Sequence, residues 1–179
     1  MIKYEPAVSH FFEDNKNYCE KIASELKTIN LDCSGFCNSY GYDINTTLNK
    51  NSLIYNLKFH KDQTTQNGVI IPVDANDYAG TELNVTGLNK KFSMTFGKSS
   101  LRRFFILKMF KRKIPNPYFI KFNYLPESNF IDNLVKKILD NKISKLKLNN
   151  RTLVCIMHIP IIDPLKLIAD IDTVIKDWV

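Results

Sequence analysis

Leu53-Ile-Tyr-Asn-Leu-Lys-Phe-His60 is the stretch that decides the fold. Every second residue is apolar and most of the others are polar: Leu53, Tyr55, Leu57 and Phe59 against Asn56, Lys58 and His60. Successive side chains of a strand point to opposite faces, so this period of two predicts a strand with one buried face.

Further short strands are predicted on both sides of the chain's centre. Apolar runs or alternations of the same kind occur at residues 69–73, 83–86, 92–96 and 118–124, and a hairpin is predicted from residues 146–148 and 152–159. Residues 32–50 are rich in Ser, Asn and Gly, and this composition predicts a loop between the first helix and the sheet.

Three segments instead carry apolar residues at steps of three and four, which predicts amphipathic helices over 9–29, 128–141 and 164–177. Asp163-Pro164 has the cap chemistry of a helix start. Helices segregated from consecutive strands favour the α+β class, with a mainly antiparallel sheet of about six to eight strands. We expect residues 1–179 to form one domain, with the helix in residues 1–30 packing peripherally or against a second copy in a homodimer.

The charge is unevenly distributed along the chain. Residues 1–89 carry 7 Lys and Arg against 11 Asp and Glu, whereas residues 90–179 carry 18 against 7. The 44% hydrophobic content argues against a disordered chain, so we expect this charge to sit on a folded surface. A one-signed block of this kind attracts anionic partners through its summed field.

The densest part of this block is the basic segment, defined as residues 101–113, from which we take the candidate binding residues Arg102, Arg103, Lys108, Lys111, Arg112 and Lys113. At 100° per residue these cations encircle a helix, which argues against a membrane-surface helix. Residues 104–107 are apolar throughout, which favours a buried strand with basic ends. The interleaved aromatics also resemble single-strand stacking platforms.

The sequence offers little for catalysis. The four cysteines suit free thiols, and Cys33 and Cys37 lack the further ligands of a zinc site, so no metal, cofactor or catalytic residue is predicted. A nucleophile formed by one of these cysteines with His10, His60 or His158 remains the enzymatic alternative.

The last third of the chain resembles an uncharacterised bacterial domain family. The resemblance is carried by Tyr118-Phe-Ile-Lys-Phe-Asn-Tyr124, Asn129-Phe-Ile-Asp-Asn-Leu-Val135, Ser144-Lys-Leu-Lys-Leu148, Leu153-Val-Cys-Ile156 and Asp163-Pro-Leu-Lys-Leu167. In that family a strand leads to a helix, a two-stranded hairpin and a closing helix, usually behind predicted membrane segments. The resemblance implies a module that works near a membrane face and no known activity.

Together these patterns predict a cytoplasmic, non-catalytic interaction module. Its expected partner is an anionic surface, either membrane or nucleic acid, or another protein. The alternatives are an enzyme with a Cys–His pair and a single-stranded nucleic-acid-binding protein.

Overall fold

The computed structural model describes residues 1–6, 10–62, 65–66, 69–70, 79–89, 93–98, 118–122, 128–149, 151–158, 160–161 and 163–176. Its helices are α1 (His10–Lys27), α2 (Ser128–Asp140) and α3 (Pro164–Ile175). Its strands are β1 (Ile2–Tyr4), β2 (Ser34–Asn38), β3 (Gly41–Lys50), β4 (Leu53–Asp62), β5 (Thr65–Gln66), β6 (Val69–Ile70), β7 (Ala79–Thr86), β8 (Met94–Lys98), β9 (Tyr118–Phe122), β10 (Lys145–Asn149) and β11 (Thr152–Met157).

Nine of these strands form one sheet in the order β1-β2-β3-β4-β7-β11-β10-β8-β9, and β5 pairs with β6 separately. All neighbouring pairs in the large sheet are antiparallel except β1 with β2. The predicted α+β class and the three helices are confirmed, and the sheet has slightly more strands than predicted. β1 accounts for part of the difference, since three residues are too few for a visible alternation.

The alternation in β4 behaves as predicted. Leu53, Tyr55, Leu57 and Phe59 are at most 2% exposed and belong to the hydrophobic core. They face the helices, because Tyr55 donates to Asp172 of α3 and α1 packs on β2 and β3. The apolar stripe of α1, which includes Ile22 and Leu26, is buried in the same core.

The predicted loop at residues 32–50 is wrong, because this segment forms the hairpin of β2 and β3. Its inward residues are apolar or small, as Tyr42, Ile44 and Thr46 are buried. The residues between them, Asp43 and Asn45, lie on the opposite face, where polar side chains carry no cost. The polar residues whose composition predicted a loop therefore lie on the outward face of a strand.

The C-terminal hairpin and helix form as the sequence predicts. Lys145–Asn149 pairs with Thr152–Ile156, and Arg151 in the turn between them has a φ of 65°. Asp163 caps α3 by accepting from the Lys166 backbone N–H at 2.8 Å, and Pro164 occupies the first turn.

Candidate functional site

The sheet order brings together three strands that contain lysines and no acidic residue. Neighbouring strands β10, β8 and β9 read Lys-Leu-Lys-Leu-Asn, Met-Thr-Phe-Gly-Lys and Tyr-Phe-Ile-Lys-Phe. Alternation places Leu146, Leu148, Met94, Phe96 and Ile120 in the core. Lys121, Lys145 and Lys147 therefore point to the opposite side, and all three are exposed. We call the outward side of these strands the lysine face.

Strand register aligns two of these cations in one row. Lys147 is the partner of Thr95, and Thr95 is the partner of Lys121. With neighbouring strands about 4.8 Å apart, the Cα atoms of Lys147 and Lys121 are separated by about 10 Å, and those of Lys145 and Lys147 by about 7 Å. These spacings are close to the Debye length, which is about 8 Å at physiological ionic strength, so the fields of the three cations overlap.

The rest of the same side of the sheet is closer to neutral. Lys58 of β4 pairs with Asp43 of β3 at 2.7 Å, and its cross-strand partner in β7 is Glu82. Within the described part of the chain, no ion pair of this kind joins an acid to Lys121, Lys145 or Lys147. The positive charge is thus concentrated at the β9 side of the sheet.

Apolar side chains border the lysine face. Val154 and Ile156 of β11 are the cross-strand partners of Lys147 and Lys145 and are partly exposed. In β8, Gly97 leaves room for the Phe119 ring of β9, since a Cβ built on Gly97 would lie 3.4 Å from its Cε1 atom. Apolar groups of β11 and the Phe119 ring of β9 therefore lie next to the cations of this surface.

The predicted binding residues Arg102, Arg103, Lys108, Lys111, Arg112 and Lys113 lie outside the described residues. The strands on either side of them are nonetheless neighbours, with Lys98 at the end of β8 opposite Tyr118 at the start of β9. The described residues that precede and follow the basic segment in the chain, Lys98 and Tyr118, therefore lie side by side at one corner of the sheet. Sequence reasoning missed Lys121, Lys145 and Lys147 as a group because Lys121 is in β9 and the other two are in β10, which is distant in sequence.

A second polar cluster lies between α1 and the opposite end of the sheet, on the covered side. Lys61 Nζ donates to Asn15 Oδ1 at 2.9 Å, and Asn15 Nδ2 donates to the Asn38 carbonyl oxygen at 3.0 Å. Asn15 is 1% exposed. Burial lowers the pKa of Lys61, against an opposing effect of the Asp14 carboxylate. These hydrogen bonds connect α1, β2 and β4, and they give the half-buried Lys61 ammonium group an acceptor.

Two tyrosines extend this cluster. The rings of Tyr18 and Tyr42 stack with centroids 4.8 Å apart, and Tyr18 donates to the Ile161 carbonyl oxygen at 2.9 Å. Burial raises the pKa of both phenols above the ordinary range. Both phenols are therefore neutral at physiological pH. They act as hydrogen-bonding groups where α1 packs against the sheet.

The four cysteines are free and buried. Cys155 lies on the covered side of the sheet, whereas His60 alternates with core residues and lies on the other side. Burial raises the pKa of Cys155 to about 12 and also raises the pKa values of Cys19, Cys33 and Cys37. Among the described residues there is no group of three or more His, Cys, Asp and Glu able to hold a metal ion.

These pKa directions predict slow thiol chemistry in the folded protein. The thiolate is the reactive form, so at pH 8 Cys155 should carry roughly a thousandfold less of it than a thiol of ordinary pKa. We expect an aromatic disulfide reagent to modify all four thiols slowly, with the chain in denaturant as the fast control. One thiol that reacts in seconds in the native protein would contradict this expectation and would favour the Cys–His alternative.

No family model, curated protein or solved structure matches the chain. The resemblance of the last third to an uncharacterised bacterial family therefore stays a prediction. None of the described helices has both the length and the apolar character needed to cross a bilayer.

Proposed function

We propose that the protein is a cytosolic, non-catalytic module that binds an anionic partner through the lysine face and the adjoining basic segment. The observation that carries the proposal is the convergence of Lys121 of β9 with Lys145 and Lys147 of β10, in a run of three adjacent strands, β10, β8 and β9, that contain no acid. Like charges held this close repel each other, and a bound polyanion replaces that repulsion with attraction.

The basic segment extends the same site. The described residues on either side of it, Lys98 and Tyr118, are cross-strand partners in β8 and β9, and its own candidates are Arg102, Arg103, Lys108, Lys111, Arg112 and Lys113. Their contribution is additive to that of the strands, because exposed cations act on a polyanion through summed long-range fields. The four free cysteines also suit a reducing compartment, in which thiols stay unpaired.

The test is retention on an immobilised polyanion such as heparin. The variant K121E/K145E/K147E should elute at clearly lower salt than the unmodified chain, and a second variant, K111E/R112E/K113E, should also elute earlier. The matched control is K21E/K136E/K142E, which reverses three exposed lysines on or next to helices and lowers the net charge from +7 to the same +1.

Equal elution of the lysine-face variant and its control would contradict the proposal, because it would show that only net charge matters. Circular dichroism spectra of all variants establish that each one is folded. Exposed lysine substitutions should change the free energy of unfolding by less than about 0.5 kcal/mol.

A further inference from the structure

We infer that the ligand of the lysine face is a single-stranded nucleic acid, an inference that rests on the proposed function. The first argument is the mixture of chemistry on this surface. Lys147 and Lys145 stand directly beside the partly exposed Val154 and Ile156. The two lysines form a column along β10, and Val154 and Ile156 form an apolar column along β11. A ligand that contacts both columns must carry regularly spaced anions and apolar surface within a few ångströms of each other. Phosphates attached to sugars and bases meet this requirement.

The hydrogen-bonding groups on the face fit the same ligand. Thr95 lies between Lys147 and Lys121 in one row, and Asn149 and Thr152 pair at the end of the β10–β11 ladder. Hydroxyl and amide side chains bond to phosphate and sugar oxygens together with lysine in nucleic-acid complexes. The row thus offers alternating charged and neutral donors along its length.

The width of the sheet favours a single-stranded nucleic acid over a duplex. The major groove of DNA is about 12 Å wide and admits a helix or a two-stranded ribbon. Strands β10, β8 and β9 are instead part of a continuous nine-stranded sheet and cannot enter such a groove as a ribbon. Base edges and faces can reach this surface only when they are unpaired.

The same surface is poorly suited to a membrane. Interfacial binding buries apolar side chains about 5–10 Å into the headgroup region. Val154 and Ile156 are shorter than the lysines beside them and lie on the face of a central strand, so they cannot project that far. The large hydrophobic residues that are exposed in the described structure, which include Ile54 and Leu139, all lie off strands β8, β9 and β10.

The test uses fluorescence anisotropy with a labelled single-stranded oligonucleotide of mixed sequence, about 16 nucleotides long, the upper site size for one small binding domain. The full chain should bind it at least tenfold more tightly than the matching duplex. Each lysine lost from the phosphates should reduce the slope of log K against log salt by about 0.7. The variant K121E/K145E/K147E should therefore lower that slope by about 2, whereas K21E/K136E/K142E should leave it nearly unchanged.

One further variant separates apolar contacts from charge. V154S/I156S, which adds no charge, should weaken oligonucleotide binding more than it weakens heparin retention, because only the nucleic acid uses the apolar column of Val154 and Ile156. Vesicles of phosphatidylcholine with phosphatidylserine serve as the competing anionic surface. Binding to vesicles or duplex that equals or exceeds binding to the single strand would overturn the inference and leave the proposed function standing. Failure of the unmodified full chain both to be retained on heparin and to bind the oligonucleotide would overturn the inference and the proposed function.

Discussion

Gly35→Ala should destabilise the protein more than any other single methyl addition described for its glycines. Gly35 lies in β2 with a φ of +146°, and a Cβ at this position would fall 1.9 Å from the Asp43 carbonyl oxygen. The oxygen belongs to the backbone and the position of a Cβ is fixed by its own backbone, so no rotamer change relieves the clash. We expect a loss of about 4 kcal/mol or more in the free energy of unfolding, measured by urea denaturation.

Gly97→Ala is the matched control for this prediction. It adds the same methyl group to another strand, but the nearest atom is 3.4 Å away on the Phe119 ring, which is ordinary contact. Its effect should stay within about 1 kcal/mol. Similar losses for the two variants would show that the close approach of β2 to β3 at Gly35 does not exist in solution.

Asn15→Leu should also cause a large loss of stability, for an electrostatic reason. The substitution preserves much of the side-chain volume but leaves Lys61 Nζ and the Asn38 carbonyl oxygen without their partners in α1. A buried polar group without a hydrogen bond costs about 1–3 kcal/mol, and more when it is charged. We therefore expect a decrease of about 3 kcal/mol in the free energy of unfolding at pH 7.

The second substitution Lys61→Met distinguishes this cause from poor packing. In the Asn15→Leu background it removes the Lys61 cation that has lost its Asn15 acceptor, so the double variant should recover at least half of the lost stability. Asn17→Leu, at an exposed position of α1, is the control and should be nearly neutral. Failure of Lys61→Met to restore any stability would argue against the half-buried Lys61 cation as the source of the defect.

The pH dependence of Asn15→Leu provides an independent measurement. Burial already lowers the pKa of Lys61, and the loss of its acceptor should lower it further. Between this folded pKa and the ordinary lysine value near 10.4, the unfolded chain binds more protons than the folded one. Stability therefore rises with pH in that window, and the penalty of Asn15→Leu should shrink as pH increases.

Much of the fold follows from local patterns in the sequence. The strand at Leu53, the cap at Asp163 and the helix that begins at Ser128 each have a periodicity or a cap that acts within a few residues. The hairpin of β2 and β3 was missed because its outward residues, such as Asp43 and Asn45, have the composition of a loop. The alternation of Tyr42, Ile44 and Thr46 was the signal that could have identified it.

The candidate site could be predicted only in part. The excess of positive charge in the second half of the chain is a property of composition and was visible at once. Lys121 and Lys147 lie in one row because β8 pairs with both β9 and β10. β10 is distant in sequence from the other two strands. Local periodicity assigns a residue to a face but does not determine which strands become neighbours.

The position of the β10–β11 hairpin within the sheet has a consequence for how the chain is made. β11 pairs with β7 and β10 pairs with β8, so two strands that follow β1 to β9 in the chain fill the middle of the sheet. Until Met157 has been synthesised, the ladder from β1 to β7 and the pair of β8 and β9 have no strand to join them. The nascent chain must keep two unpaired strand edges apart from other chains, and the sheet can be completed only after β11 has been synthesised.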